Sequence, residues 1–248
     1  MTPTIRPARP DDAAAVAAFT ADTWPERDGD YVPHVFESWV RENEAVRDDG
    51  PEAHTLVAAD EDDAPIGLLR TVLVNRDEAW CGGMRVDPAH RGEGVAVDLV
   101  HAGFDWARER GGQVARAMVF GWNAAGLGVA RAAGFEPVTE FRWAPPEPAD
   151  GGPTEAVADP DPDAVWDYWS ASDARAHLRG LALAPAESWA LSTLTRERLA
   201  TAADAATAGA DPGDRTGGQR RGARPRRGRR RTGLRARCGP DGGRGCAW

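Results

Sequence analysis

The chain of 248 residues contains no lysine, so all 30 of its basic residues are arginine. They stand against 39 acidic residues, for a formal net charge of −9. Excess negative charge keeps a protein soluble where salt screens repulsion, so the pattern is expected of a halophilic protein rather than of one that binds a basic partner. Cysteine is scarce as well. Cys81, Cys238 and Cys246 are too few and too badly spaced for a disulfide framework or a metal site, and no metal is expected. Tyr31 and Tyr168 are the only tyrosines. No apolar run reaches the ~18 residues of a membrane span. The stretch Met1-Thr2-Pro3-Thr4-Ile5-Arg6 has no apolar signal core. A cytoplasmic protein with no membrane partner is expected.

What charge there is lies unevenly. Residues 211–248 hold 12 arginines and 3 acidic residues, whereas the chain before them is acidic. The run from Arg220 to Arg231 is low in complexity and has no interleaved aromatics. It reads either as an arginine-rich arm for nucleic acid or as a frameshift product of a GC-rich gene, which yields Arg, Gly, Pro and Ala codons. The abrupt change, without a stretch of intermediate composition, favours the frameshift, and nucleic acid is not an expected partner. On either reading this composition predicts a disordered tail whose deletion leaves stability unchanged.

Ahead of the tail the apolar pattern places elements in order. Ile5-Arg6-Pro7-Ala8 reads as a strand, and Asp11 and Asp12 offer a cap for a helix over Ala13 to Ala21. Trp24-Pro25 breaks it, and a second helix runs from Val32 to Glu44. Thr55 to Ala59 and Pro65 to Val74 form a hairpin, and Glu78 to Val86 returns as a further strand. A helix from Val95 ends at Gly111-Gly112, Val114 to Phe120 is a strand, Asn123 to Ala133 a short helix, and Pro137 to Trp143 a last strand. Residues 145–162 are proline-rich and read as a linker. Residues 163–210 read as helical, over Ala164 to Ser170 and Ala184 to Ala206.

The chemistry concentrates where the strand ending at Val86 meets the helix beginning at Val95. Pro88 stops the strand, and Arg91-Gly92-Glu93-Gly94-Val95-Ala96 forms a glycine-rich helix mouth. Such a mouth exposes backbone N–H groups, and with the helix dipole it favours an anion, above all a phosphate. No Gly-Lys-Ser/Thr follows, and Gly-x-Gly-x-x-Gly is absent, which excludes the P-loop and the dinucleotide fingerprint.

Arg91-x-x-Gly94-x-Ala96 after such a strand resembles the pyrophosphate loop of the GNAT superfamily of N-acetyltransferases. The opening residues 5–19 and the element order agree with that family over about 140 residues. The resemblance implies an α/β fold with a mixed central β-sheet flanked by helices over residues 1–144. After it come the linker, the helical segment (docked on the domain or opening a degenerate second half) and the tail. It also implies acetyl-CoA as co-substrate, and as acceptor a small-molecule amine or a protein N-terminus. Met84 and Val86 would pair with the pantetheine arm, and amides from Arg91 through Gly92, Glu93, Gly94, Val95 and Ala96 would cradle the pyrophosphate. Asn123 matches a common contact to the cofactor arm, and a plain helix cap is its other reading. Between the first two helices such folds build the acceptor wall, which makes Trp24, Tyr31 and His34 candidate substrate contacts.

Catalysis is less well marked. Strict alternation puts Glu78, Trp80, Gly82, Met84 and Val86 on one face, and Glu78 is the only carboxylate there. It is the first candidate base, a solvated strand-end carboxylate being the alternative. Glu140 and His90 are lesser candidates. Many relatives carry a tyrosine acid four residues before the Gly-Phe pair, but Ala130 stands there ahead of Gly134-Phe135. That departure keeps open a catalytically weak acyl-CoA sensor.

Overall fold

The computed structural model describes residues 3–21, 23, 29–44, 52–142, 161–187, 189–209 and 244–247. The elements are β1 (Thr4–Pro7), α1 (Ala13–Thr20), α2 (Val32–Glu44), β2 (Ala53–Ala59), β3 (Pro65–Leu73), β4 (Glu78–Val86), α3 (Val95–Glu109), β5 (Val114–Phe120), α4 (Ala124–Ala132) and β6 (Thr139–Arg142). This is the order expected from the sequence. After it come α5 (Pro162–Ala171), α6 (Asp173–His177), β7 (Leu181–Leu183), β8 (Leu191–Thr193), α7 (Arg196–Gly209) and β9 (Arg244–Ala247).

Contacts divide the chain into two compact units. The first comprises Met1–Arg142, His177–Thr193 and Gly243–Trp248, the second Trp143–Ala176 and Leu194–Gly242. In the first, a mixed sheet runs in the order β1-β2-β3-β4-β5-β9-β6. Short turns make an antiparallel meander of β2, β3 and β4, β1 pairs antiparallel to β2 after the two intervening helices α1 and α2, and α3 carries the chain over to β5, which lies parallel to β4. In the second unit α5 starts on Asp161, whose Oδ1 accepts from the N–H groups of Asp163 and Ala164. Arg196 of α7 there pairs with Asp163 and Asp167 of α5 at 3.3 and 3.4 Å.

Burial on both faces explains why β3 reads as an almost unbroken apolar run. Against one face α3 sets Val95, Leu99 and Val100 on Leu56, Ala58, Ile66, Leu69 and Cys81. Against the other, α1 and α2 set Val16, Phe19, Phe36 and Val40 on Val57 and Leu68. A third cluster joins Val72, Val74 and Trp80 to Leu181, Ala184, Ala190 and Leu191, so the β7–β8 hairpin completes the second face.

Two expectations need correction. The helix expected from Ala184 begins only at Arg196, because Pro185 interrupts it and Leu191–Thr193 pair with β7. Packing on Trp80 outweighs the local helix propensity of an alanine-rich stretch. The tail expected to be disordered supplies β9. Arg244–Ala247 lie between β5 and β6, antiparallel to both. Main-chain groups make a ladder whatever the composition, which is why arginine and glycine content did not reveal it. The remaining tail residues, 211–243 and 248, and the linker through residue 160 lie outside the described residues.

Removing residues 244–248 should therefore destabilise the protein. Met118–Phe120 and β6 lose their shared partner, and a loss of about 1 kcal/mol lowers Tm by roughly 2–4 °C in a chain of this size. Calorimetry of the truncated chain checks this, and an unchanged Tm would show that β6 holds without β9.

Candidate active site

The site begins where two parallel strands part. β4 and β5 pair from Glu78↔Val114 to Cys81↔Ala117. Beyond that point, among the described residues, no strand pairs with the β5-facing side of Gly82–Val86. The cause lies on the other side of β4. Leu68 faces Arg85 and Arg70 faces Gly82, so Leu69 alone opposes both Gly83 and Met84. This is a two-against-one bulge, which bends the strand and strengthens its twist. Gly83 sits there at φ +66°, a conformation that favours glycine, and a Cβ added to it would lie 2.7 Å from the Trp39 ring.

The bulge also changes the phase of the side chains. Met84 and Val86 pack with Cys81 against the α3 cluster. Arg85 turns to the opposite face and reaches Asp30, with Nε–Oδ2 at 2.5 Å and Nη2–Oδ1 at 3.0 Å. Strict alternation had put Met84 and Val86 with Glu78, and an extra residue in the strand reverses that assignment.

From Val86 the chain enters the glycine-rich turn. Asp87 donates its N–H to Ile66 O and accepts from Ala89 N, fixing the turn at Pro88. Gly92 and Gly94 take φ +82° and +89°, and nothing lies within 4 Å of a Cβ added at either. Gly94 is the N-cap of α3 and provides no side-chain cap. The N–H groups of Val95 and Ala96, as the first of the helix, have no partner within it. Backbone donors, positive dipole and open space thus coincide, and an anion fits there. Arg91 is exposed and donates Nε to Val86 O at 3.3 Å. The Glu93 carboxylate lies 3.6 Å from His90 Nδ1. Asn123 takes the cap role, its Oδ1 accepting from Gly126 N at 2.9 Å.

On the α2 side of the bulge the structure gathers a group that the sequence left scattered. Tyr31 meets Trp39 edge-on at 6.1 Å, and the Arg85 guanidinium lies 5.5 Å from the Tyr31 ring. Arg70 lies 5.2 Å over Trp39 and donates to Glu42 at 2.6 Å, with Glu187 of the hairpin turn 3.6 Å away. Tyr31 is half exposed, and the partial desolvation of its ring raises its pKa; Arg85 opposes this, while Asp30 and Glu187 add to it. Of the expected acceptor contacts, Tyr31 belongs to this group. His34 is an exposed residue of α2, and Trp24 lies outside the described residues. Trp39, Arg70, Arg85 and Glu187 are not among the contacts expected from the sequence. Lone arginines inside apolar strands, as in Gly67-Leu68-Leu69-Arg70 and Gly83-Met84-Arg85-Val86, were the available signal, because a buried charge needs a partner.

Glu78 is placed differently from either expectation. It is 5% exposed and accepts from Thr193 N at 2.9 Å, the Thr193 hydroxyl, Asn75 Nδ2 at 3.1 Å and Arg116 Nη2 at 3.1 Å. Burial pushes its pKa up, but the bonds from Thr193 and Arg116 outweigh that and leave it lowered. A base works best with a pKa near the working pH, so this shift has the wrong sign. Eight residue steps along β4 also put it ~26 Å from Val86. Its bonds tie β8 to β4 and β5. Of the lesser candidates, Glu140 is exposed on β6 and His90 sits in the turn with its Nδ1 3.6 Å from the Glu93 carboxylate, while Ala130, where relatives carry a tyrosine, is buried. Tyr168 is exposed on α5 of the second unit. Among the described residues no group of three or more His, Cys, Asp or Glu could hold a metal, and no helix is long and apolar enough to cross a membrane.

The model of the acetyltransferase (GNAT) family matches residues 14–135. The chain is similar to solved structures of several such proteins. Ard1 from Thermoplasma volcanium is 20% identical, with 57% of this chain and 88% of that one covered, at a TM-score of 0.48. The ribosomal-protein-S18-alanine N-acetyltransferase from Escherichia coli is 20% identical over 56% and 81%, at 0.43. The GNAT domain of S. lividans PAT is 25% identical over 54% and 81%, at 0.44. No curated protein sequence matches the chain.

The Glu78 cluster gives a stability prediction with a definite pH sign. A carboxyl whose folded pKa is lowered stabilises above its unfolded value of about 4.3, and the contribution is lost as pH falls through the folded value. Glu78→Gln should cost about 1–3 kcal/mol at pH 7, with a smaller penalty below about pH 4. Thermal melts of both proteins across that range test it. Equal Tm values at pH 7 would contradict the clamp.

Proposed function

Residues 14–135 belong to the acetyltransferase (GNAT) family, and from that premise we propose that the protein transfers the acetyl group of acetyl-CoA to an amine of a small molecule or of a protein N-terminus. The observation that carries this is the continuity of the stretch of β4 after Cys81, beyond which β5 pairs with it no further among the described residues, with the start of α3 at Gly94, which has no side-chain cap. Backbone groups of Met84 and Val86 would hold the pantetheine arm as an added strand does, and amides from Arg91 to Ala96 the pyrophosphate. The open space at Gly92 and Gly94 fits a close approach of phosphate to backbone. Asn123, already engaged as a cap, is proposed to reach the cofactor arm only with its remaining amide group. Bound there, acetyl-CoA supplies an activated acetyl group next to the bulge.

The chain's own residues then orient and protect the acceptor. Tyr31, Trp39 and His34, with Trp24 in the same stretch of sequence, are the proposed contacts. The amine reacts only in its neutral form, and with Glu78 held as an acceptor of four hydrogen bonds its proton is proposed to leave to water. A thiol of pKa about 8.5 can depart as its anion without an acid, in keeping with Ala130 where relatives place tyrosine. The same alanine is the observation that favours the second reading, an acyl-CoA sensor that binds without turning over. A cytoplasmic, high-salt setting is proposed from the acidic, lysine-free composition.

Three measurements test this. Gly94→Val should lower acetyl-CoA affinity at least tenfold, about 1.4 kcal/mol, and unchanged affinity by calorimetry in a folded variant would remove the cofactor assignment. Release of CoA with a panel of amines should rise with pH and level off; binding without release would select the sensor. A falling limb above about pH 10 that disappears in Tyr31→Phe would instead make Tyr31 the acid.

A further inference from the structure

The turn between β7 and β8 carries an indole where a glycine is expected. Ala190 N donates to Glu187 O at 3.3 Å, closing a four-residue turn, and Trp189 stands third in it at φ +69°. A positive φ at that place ordinarily goes to glycine or asparagine, because a bulky side chain crowds the backbone there. The Trp189 ring gains little burial in return. It is 48% exposed and lies outside the core that the hairpin builds from Leu181, Ala184, Ala190 and Leu191. Packing of the hairpin therefore does not call for it, and backbone outliers of this kind gather at ligand sites.

What the ring meets is the end of β5. Trp189 stands edge-on to Phe120, with centroids 6.4 Å apart at 75°, and Phe120 stacks on Trp122 at 5.2 Å and 10°. Trp122 is 37% exposed. Phe120 lies three residues past Ala117, the last residue of β5 to pair with β4, and Met84 lies three past Cys81 on the other strand. The strands are parallel, so both positions flank the opening between them. Met118, two residues before Phe120, packs with Trp80 and the hairpin, and alternation carries Phe120 to the same face of the sheet. The same turn also reaches the other side of the opening, where Glu187 lies 3.6 Å from the Arg70 that sits over Trp39. It thus touches the Trp39–Arg70 group with one residue and the Phe120–Trp122 stack with another.

We propose that, on the acetyl-transfer reading, Trp189 selects the acceptor, and that the acceptor is a primary amine carried on an aromatic ring. Phe120, Trp122 and Trp189 set two rings parallel and one nearly at right angles, and both indoles keep exposed surface. A flat ring extends such a set by stacking on one indole and meeting the other edge-on, a geometry that a flexible alkyl chain does not offer. The ammonium form in which an amine arrives is attracted to indole faces as well.

The test uses the full chain in the presence of CoA, with 2-phenylethylamine and hexylamine as probes and calorimetry as the readout. Phenylethylamine should bind about tenfold tighter, and Trp189→Gly should erase the difference. Equal affinities in the native chain, binding of neither amine, or a preference that survives Trp189→Gly overturns the proposal. The variant should also melt no lower than the native chain, since glycine takes the positive φ freely. A Tm lower by several degrees would make the ring a packing residue and overturn it too. Release of CoA from acetyl-CoA separates this site from the reaction. Release at equal rates with both amines keeps the transferase and overturns selection by Trp189, whereas selective binding without release upholds the aromatic site and removes the transferase.

Discussion

Two parallel strands cannot both hold their ladder and make room for a ligand, and here one residue resolves the conflict. The extra residue at Gly83–Met84 bends β4 away from β5 just after Cys81 and Ala117. Everything at the site depends on that bend. It frees a main-chain edge, and it sends Met84 and Val86 into the α3 core. It turns Arg85 toward Asp30 and leaves room for the Trp39 ring against Gly83. A side chain at position 83 would be strained by φ and would collide with Trp39. The bulge, the aromatic pair and the buried ion pairs are thus one arrangement.

Much of this was legible in the sequence because it is local backbone chemistry. The glycine-rich mouth of α3 announces itself through Pro88, Gly92 and Gly94, whose positions dictate a strand stop and two turns with positive φ. The order of elements followed from apolar periodicity, which burial on two faces produces directly. What failed was anything that counts residues across the bulge. Alternation is reliable only while the ladder is regular, and one inserted residue moved Met84 and Val86 to the other face. Glu78 failed for a different reason. Its partners Arg116 and Thr193 are 38 and 115 residues away, and no local pattern shows that a carboxylate will be clamped at such range.

The C-terminal segments show the same division between local and tertiary control. α5 starts where Asp161 and Pro162 say it should. The β7–β8 hairpin exists because Leu181 and Leu191 find Trp80, and its turn brings Glu187 to Arg70. Residues beyond the 14–135 family match therefore shape the site. β9 is a matter of main-chain pairing alone, which composition does not encode.

On the proposed reading, the freed edge of β4 and the start of α3 form one continuous seat for the cofactor. Amide spectra of labelled protein during titration with acetyl-CoA test it most directly, since the glycine amides report on both halves. Gly82, Gly83, Gly92 and Gly94 should shift together along one saturation curve, with Gly128 and Gly180 unmoved. Shifts confined to other parts of the chain, or a strand edge that does not respond while the loop does, would contradict it.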